Sequence, residues 1–319
     1  MNVIISHSAD LDGVSSAALL IRKFMESGEP YLVYLRDYSD GEEVYPTEIT
    51  RIPDVRVYIA DVSTHLKHID AVVNRIKLTK GRVEWTDHHE TTEEIKRTLI
   101  SAGVELYHDK DSGSASVLVE KRYELRGEIY RQIADAGFQA DTLKIKDDYV
   151  KALVDLIDYF NYLEKRIPRV RLERLAVQIA IKGPSEVVKE DDYVELLKHY
   201  RDLKQKALEE VLETVRIYDL HGYKLAIAYA TSLVSGTQAA SKLEENVSAD
   251  LYLIIKDEGG MSFRRSKACR VNLVPLANIF GGGGHEYAAG ADLGRTVARD
   301  EFNRVADEVY ERIRSGWRP

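Results

Sequence analysis

Short β-rich runs alternate with apolar residues spaced three and four apart through the first half of the chain. That pattern predicts strands at Val3–Ser6, Tyr31–Leu35, Val55–Ile59, Arg82–Trp85 and Val104–Tyr107, with helices near Val14–Glu26, Ile69–Leu78, Thr92–Ala102 and Ser114–Tyr123. Such a rhythm implies a parallel sheet covered on both faces, an α/β domain. From Ile129 to Ile181 the chain reads as mostly helical, and Pro184 interrupts it. A long amphipathic helix follows, its stripe running from Tyr193 through Tyr200 and Ala207 to Val215. The stripe suits a core or domain-bridging face. A smaller α/β domain begins near Ile217: "YKLAIAYA", "ADLYLIIK" and "MSFRRS" read as strands, "VSGTQAASKLEEN" as a helix, and Ala298–Arg314 as a closing helix. The predicted division is 1–183, a linker helix over 184–216, and 217–319. No internal repeat or low-complexity tract interrupts it.

The length of 319 residues allows two domains with real cores. A single cysteine, Cys269, excludes an intrachain disulfide framework and any cysteine-rich zinc site, so metal chemistry must use imidazoles and carboxylates. The N-terminal "MNVIISHSAD" lacks the basic start and apolar length of a signal peptide, and no segment reaches the ~20 apolar residues of a membrane span. A soluble, cytoplasmic protein without membrane contact is the expectation. Net charge is −8, which does not suit a protein that coats long duplexes. Residues 218–319 hold 13 Lys+Arg against 13 Asp+Glu, so the whole excess lies in 1–217. Within the neutral part nothing from Gly259 to His285 is acidic, while Arg264, Arg265, Lys267 and Arg270 cluster there. The stretch is either a local anion-binding surface or a solvated basic loop.

The polar residues fall at particular places on this layout. His7, Asp10 and Asp12 follow the first predicted strand, Asp61 the third, and Asp87, His88 and His89 the fourth. Ligands of open α/β sheets bind outside the carboxyl ends of the strands, so these segments converge on one site. Taken singly, each has an ordinary explanation: a turn, a helix cap, an exposed histidine pair. Taken together, they would require independent accidents at three strand ends. Carboxylates and imidazoles without thiolate suit two divalent cations, Mn²⁺ first, then Mg²⁺ or Co²⁺. A metal pair about 3.5–4 Å apart activates water and stabilises charge on phosphoryl oxygens. A further ligand is expected from "VKALVDLIDYFNY", with Asp158 preferred and Asp155 the alternative.

The second candidate element is "FGGGGHEYAAGA", residues 280–291. Consecutive glycines, Gly282, Gly283 and Gly284 among them, let backbone N–H groups approach an anion, and His285 stands beside them as a donor. A flexible hinge would leave the small-residue run at 288–290 unexplained.

On "HSADLDG", "ADVS", "DHHE" and "FGGGGHEYAAGA" preceded by "SFRRS", the sequence resembles the DHH/DHHA1 phosphoesterase family over nearly its whole length. That family includes RecJ exonucleases, NrnA-type nanoRNA and pAp phosphatases, and cyclic dinucleotide phosphodiesterases. The resemblance implies an N-terminal DHH metal domain and a C-terminal DHHA1 domain that holds the nucleotide, with the active site in the cleft. It further implies that His7 and Asp10 bind one metal, that Asp12, His88 and Asp158 bind the other, and that Asp61 bridges them. Asp87 would orient His88, His89 would contact the scissile phosphate, and Arg264 would grip a phosphate. Two residues separate His7 from Asp10, against one in RecJ-type and three in NrnA-type members.

The expected activity is Mn²⁺-dependent removal of mononucleotides from very short single-stranded RNA or DNA, with pAp as a second substrate and homodimerisation left open. A RecJ-like exonuclease, a cyclic dinucleotide phosphodiesterase and, from another class, a non-catalytic scaffold for replication or repair proteins are the alternatives. A family II pyrophosphatase would share the metal motifs but lack the glycine-rich segment.

Overall fold

The computed structural model describes residues 1–64 and 68–318. They form two compact units, Met1–Tyr200 and Arg201–Pro319. In the first unit the elements run β1 (Asn2–His7), α1 (Leu11–Ser27), β2 (Tyr31–Arg36), β3 (Val55–Ala60), α2 (Ile69–Leu78), β4 (Gly81–Asp87), α3 (Glu93–Ser101), β5 (Val104–His108), α4 (Ala115–Arg122), α5 (Glu128–Asp141), α6 (Asp148–Leu163), α7 (Val170–Lys182) and α8 (Pro184–Val187). The helix α9 (Asp191–Glu213) crosses from one unit to the other. The second unit continues with β6 (Arg216–Leu220), β7 (Tyr223–Ala230), α10 (Gly236–Asn246), β8 (Leu251–Lys256), β9 (Gly260–Arg265), α11 (Val274–Asn278), β10 (Gly283–His285), β11 (Ala288–Asp292) and α12 (Phe302–Gly316).

The first sheet is parallel throughout, in the order β2-β1-β3-β4-β5, as the apolar rhythm predicts. Strand side chains alternate between faces, and both faces are buried. Ile4, Leu35, Tyr58 and Ala60 join a core with α1, α5, α6 and α7. Val3, Ile5, Val57, Ile59 and Trp85 join Val72, Val73, Ile76 and Leu99 on the other side. The strand order reverses beside β1, so the carboxyl ends of β1, β3 and β4 lie together at a switch point.

In the second unit the sheet is mixed, in the order β10-β11-β9-β8-β7-β6, with only β7 and β8 parallel. Its core is Leu225, Ile227, Leu253, Ile255 and Phe263 against Phe302, Val305, Val309 and Ile313 of α12. The sequence pattern does not predict β6, β10 or β11. Part of the glycine run is strand β10 in a hairpin with β11. Glycines have no side-chain alternation to read, so period-2 reasoning is silent there.

Candidate metal centre

Asp10 caps α1: its Oδ1 accepts from the Gly13 amide at 3.0 Å, while its Oδ2 lies 3.8 Å from Nε2 of His7. Nδ1 of His7 faces the Arg36 carbonyl at 3.2 Å. A carbonyl can only accept, so Nδ1 carries the proton and Nε2 offers its lone pair. The Tyr38 ring stacks on His7 with centroids 4.5 Å apart.

Asp12 is buried, and its two oxygens accept from the amides of Ala115 and Ser116 at 2.6 and 3.0 Å, at the start of α4. Burial pushes its carboxyl up to about 6, against the opposing effect of the Ser116 hydrogen bond. Close packing of α5 supports this arrangement. A side chain at Gly137 would run into Ser116 Oγ and Asp12 Oδ1, at 2.3 and 2.7 Å from a Cβ.

Asp61, just past β3, is buried with φ of 55°, a left-handed backbone that aspartate tolerates better than most residues. Neither carboxylate oxygen has a hydrogen-bond partner among the described residues. Burial first, then the charges of Asp12, Asp10, Asp87 and Asp141, raise its pKa well above the ordinary carboxylate range. Nε2 of His88 is likewise buried and unpartnered, 3.5 Å from Asp61 Oδ1 and 3.7 Å from Asp12 Oδ2. Buried polar atoms normally find partners, so unpartnered carboxylate and imidazole atoms facing one another suit a place for a cation. The residues fit a divalent metal: Asp61, His88 and His89 form one group, and Asp12, His88 and Asp141 another, with one ligand atom per residue all within 4.8 Å of each other.

Two placements differ from those the resemblance implies. Asp87 accepts from Nδ1 of His89 at 2.7 Å, so it orients His89 and not His88. The physical reason is spacing. Residues two apart on extended chain point the same way, which sends His88 to the opposite side, toward Asp12 and Asp61. The Asp87 contact raises the pKa of His89, and the His89 carbonyl accepts from Nε2 of His108 at 2.7 Å.

The third aspartate beside His88, after Asp12 and Asp61, is Asp141, 3.7 Å away at the C-terminal end of α5. Asp158 lies on α6, exposed, with Tyr200 Oη donating to it at 3.5 Å, and neither group around His88 includes Asp158 or Asp155. Sequence reasoning passed over Asp141. Its signal was Gly137, an interior helix glycine marking a close approach four residues before it.

The second unit handles its polar residues differently. Arg264 donates to the Phe263 carbonyl and to Thr237 Oγ1, both at 2.9 Å, and Arg265 donates to the Val271 carbonyl at 2.7 Å. The registers His285↔Ala288 and Ala288↔Arg264 put His285 and Arg264 on one sheet face with only a methyl group between their rows. The expected anion-binding amides of the glycine run are partly occupied. Those of Gly281 and Gly282 donate to the carbonyls of Asn278 and Ala277, closing α11. A side chain at Gly282 would meet the Gly290 carbonyl 2.0 Å from its Cβ, so that glycine serves tight strand packing. His285, exposed, stacks with Tyr287.

No protein-family model matches the chain. No curated protein matches it either. Among solved structures, exonuclease RecJ bound to manganese is 15% identical and aligns over 98% of this chain and 90% of its own, with a TM-score of 0.55. The chain has the RecJ fold. The pGpG-specific phosphodiesterase PggH from Vibrio cholerae is similar over 99% of both chains, at 15% identity and a TM-score of 0.54. At such identity the RecJ-like likeness establishes the architecture that the DHH/DHHA1 resemblance implied, and the chemistry must be argued from the residues.

Proposed function

We propose that the protein is a divalent-metal-dependent phosphodiesterase of the DHH/DHHA1 type, acting on short single-stranded RNA or DNA and releasing mononucleotides. The observation that carries this reading is the buried Asp61 carboxylate, unpartnered and facing the unpartnered Nε2 of His88 at 3.5 Å. His7, Asp10, Asp12, Asp61, His88 and Asp141 are the residues that would hold metal, with Mn²⁺ favoured by their oxygen and imidazole donors. A bound pair would supply a water of lowered pKa and neutralise charge on a phosphoryl group. His89, with Nδ1 fixed by Asp87 and its ring partly exposed, would serve through Nε2 as the donor for a phosphoryl oxygen. Its raised pKa keeps that donor protonated to higher pH.

In the second unit, Arg264 and His285 share a sheet face, and the stretch 259–285 that supplies them carries no acidic residue; this supports a role in gripping phosphate. A neighbour of the same fold is pGpG-specific by name, and two nucleotides is the short end of the range proposed here. End-labelled oligonucleotides of two to twenty residues, run beside pAp and cyclic dinucleotides with Mn²⁺ and with EDTA, test the reading. Mononucleotide release from the shortest substrates supports it. Metal-independent cleavage, or none on any substrate, sinks it.

A further inference from the structure

The turn after β2 touches both ends of the candidate centre. The Arg36 carbonyl, next to β1 in register with His7, receives the Ser8 amide at 2.9 Å and the His7 Nδ1 proton at 3.2 Å. Tyr38 stacks on the His7 ring at 18° from parallel, and its hydroxyl accepts from the Ser63 amide at 3.2 Å, two residues beyond Asp61. One aromatic ring therefore braces a ligand at the end of β1 and the backbone at the end of β3.

The turn is fixed first by its own residues and then by one remote in sequence. Asp40 Oδ2 accepts from the Asp37 amide at 2.8 Å, and Asp37 Oδ1 from the Ser39 amide at 2.8 Å, a reciprocal capping box around Tyr38. Arg169, which precedes α7, then closes a fork on Asp40: Nη1 to Oδ2 at 2.6 Å and Nη2 to Oδ1 at 3.0 Å. Nη1 also reaches the Leu35 carbonyl at 3.4 Å. Both side chains are almost wholly buried, 3% and 6% exposed. A buried bidentate pair is better at fixing geometry than at adding net stability, because desolvation offsets much of its attraction.

We propose that the Arg169–Asp40 pair is a positioning element for metal binding: it holds the turn at 36–40 so that Arg36 fixes the His7 tautomer and Tyr38 fixes the His7 ring and the Asp61 loop. The proposal rests on the reading of His7 and Asp61 as metal ligands. Arg169 has its hydrogen bonds to Asp40 and the Leu35 carbonyl and acts through Tyr38 and the Arg36 carbonyl.

The test uses the full chain with Arg169→Lys, which keeps the charge and loses the fork, and Tyr38→Leu, which keeps the ion pair and loses the ring. Mn²⁺ affinity is measured by calorimetry, and the His7 ring nitrogens are followed by ¹⁵N NMR in metal-free protein, assigned with His7→Gln. Wild type should show a single Nδ1–H tautomer at His7. Each variant should weaken Mn²⁺ binding about tenfold, the lower end for losing a partner that orients a ligand. Arg169→Lys should also show mixed tautomers. Reduced thermal stability with wild-type Mn²⁺ affinity and an unmixed His7 signal would mean a merely structural pair. Should Arg169→Lys fail to fold, unchanged Mn²⁺ affinity in Tyr38→Leu overturns the proposal. Failure of the underlying reading looks different: wild type would bind no Mn²⁺, or His7→Gln would bind it as tightly as wild type.

Discussion

In the first unit Asp61 and His88 keep polar atoms buried and unpartnered, whereas in the second Arg264, Arg265 and the Gly282 amide all have protein acceptors. Both regions stand out in the sequence through short motifs of polar residues and glycine. In the first, among the described residues, buried acidic and imidazole groups are left without partners. The difference separates a place that needs a ligand to be stable from one that is complete without it, and it makes the metal centre the firmer of the two candidates.

The most severe way to break the comparison is Asp61→Asn, which keeps the left-handed backbone accessible and removes the charge. Activity should fall about a thousandfold or more, since several kcal/mol of metal-derived stabilisation go with the ligand. The metal-free protein should melt higher than wild type, because a buried, repelled carboxylate is gone. Near-normal turnover, or a lower metal-free Tm, would show that Asp61 is an ordinary structural residue.

Arg264→Ala probes the opposite region. Losing one charge-assisted phosphate contact should raise KM roughly ten- to a hundredfold, about 1.5–3 kcal/mol, with kcat and Mn²⁺ affinity little changed. A variant that lost metal but kept its KM would reverse the roles assigned to the two units. His285→Ala should follow the same pattern more weakly.

Gly282→Ala sharpens the structural side. Forcing a methyl group against the Gly290 carbonyl should destabilise the protein by about 1–3 kcal/mol, read as a lower Tm in chemical or thermal denaturation. Unchanged stability with weaker substrate binding would restore the anion-cradle role for the glycine run.

A pH series gives a smaller, signed effect. The Asp12 carboxyl, raised to about 6, contributes stability below its unfolded value near 3.8, and that contribution is lost as pH rises through about 6. Asp61 acts in the same direction. His89, raised by Asp87, contributes stability below about 6.5 that is lost as pH climbs through its folded pKa. In metal-free protein the share of stability carried by these three groups should therefore fall from pH 4 upward, read as the difference from Asp61→Asn, while the Tm gain from Mn²⁺ grows over the same window as protons cease to compete. A Mn²⁺ effect independent of pH between 4.5 and 7.5 would remove these carboxylates from the site.

The mildest test is ionic strength. With few basic residues on the Arg264 face, kcat/KM on dinucleotides to pentanucleotides should fall with a log–log salt slope of about −1 to −3, at about −0.7 per phosphate neutralised. A steeper slope with activity rising toward 20-mers would favour a strand-tracking exonuclease.

By itself the sequence determined the parallel sheet of the first unit, because doubly covered strands leave unbroken apolar runs that periodicity detects. It also determined that His7, Asp10, Asp12, Asp61 and the 87–89 segment lie at or just past strand ends, and parallel topology gathers strand ends. No membrane-crossing helix was expected, and no helix among the described residues is long and apolar enough to cross one. The tertiary structure alone decided which side chains meet. Asp141 reaches His88 because Gly137 lets α5 approach Asp12; Asp87 serves His89 because of side-chain direction; Arg169 finds Asp40 across 129 positions. Local pattern encodes which face a residue takes, but partners so distant in sequence are set by how helices pack, and one chain carries no periodic trace of that.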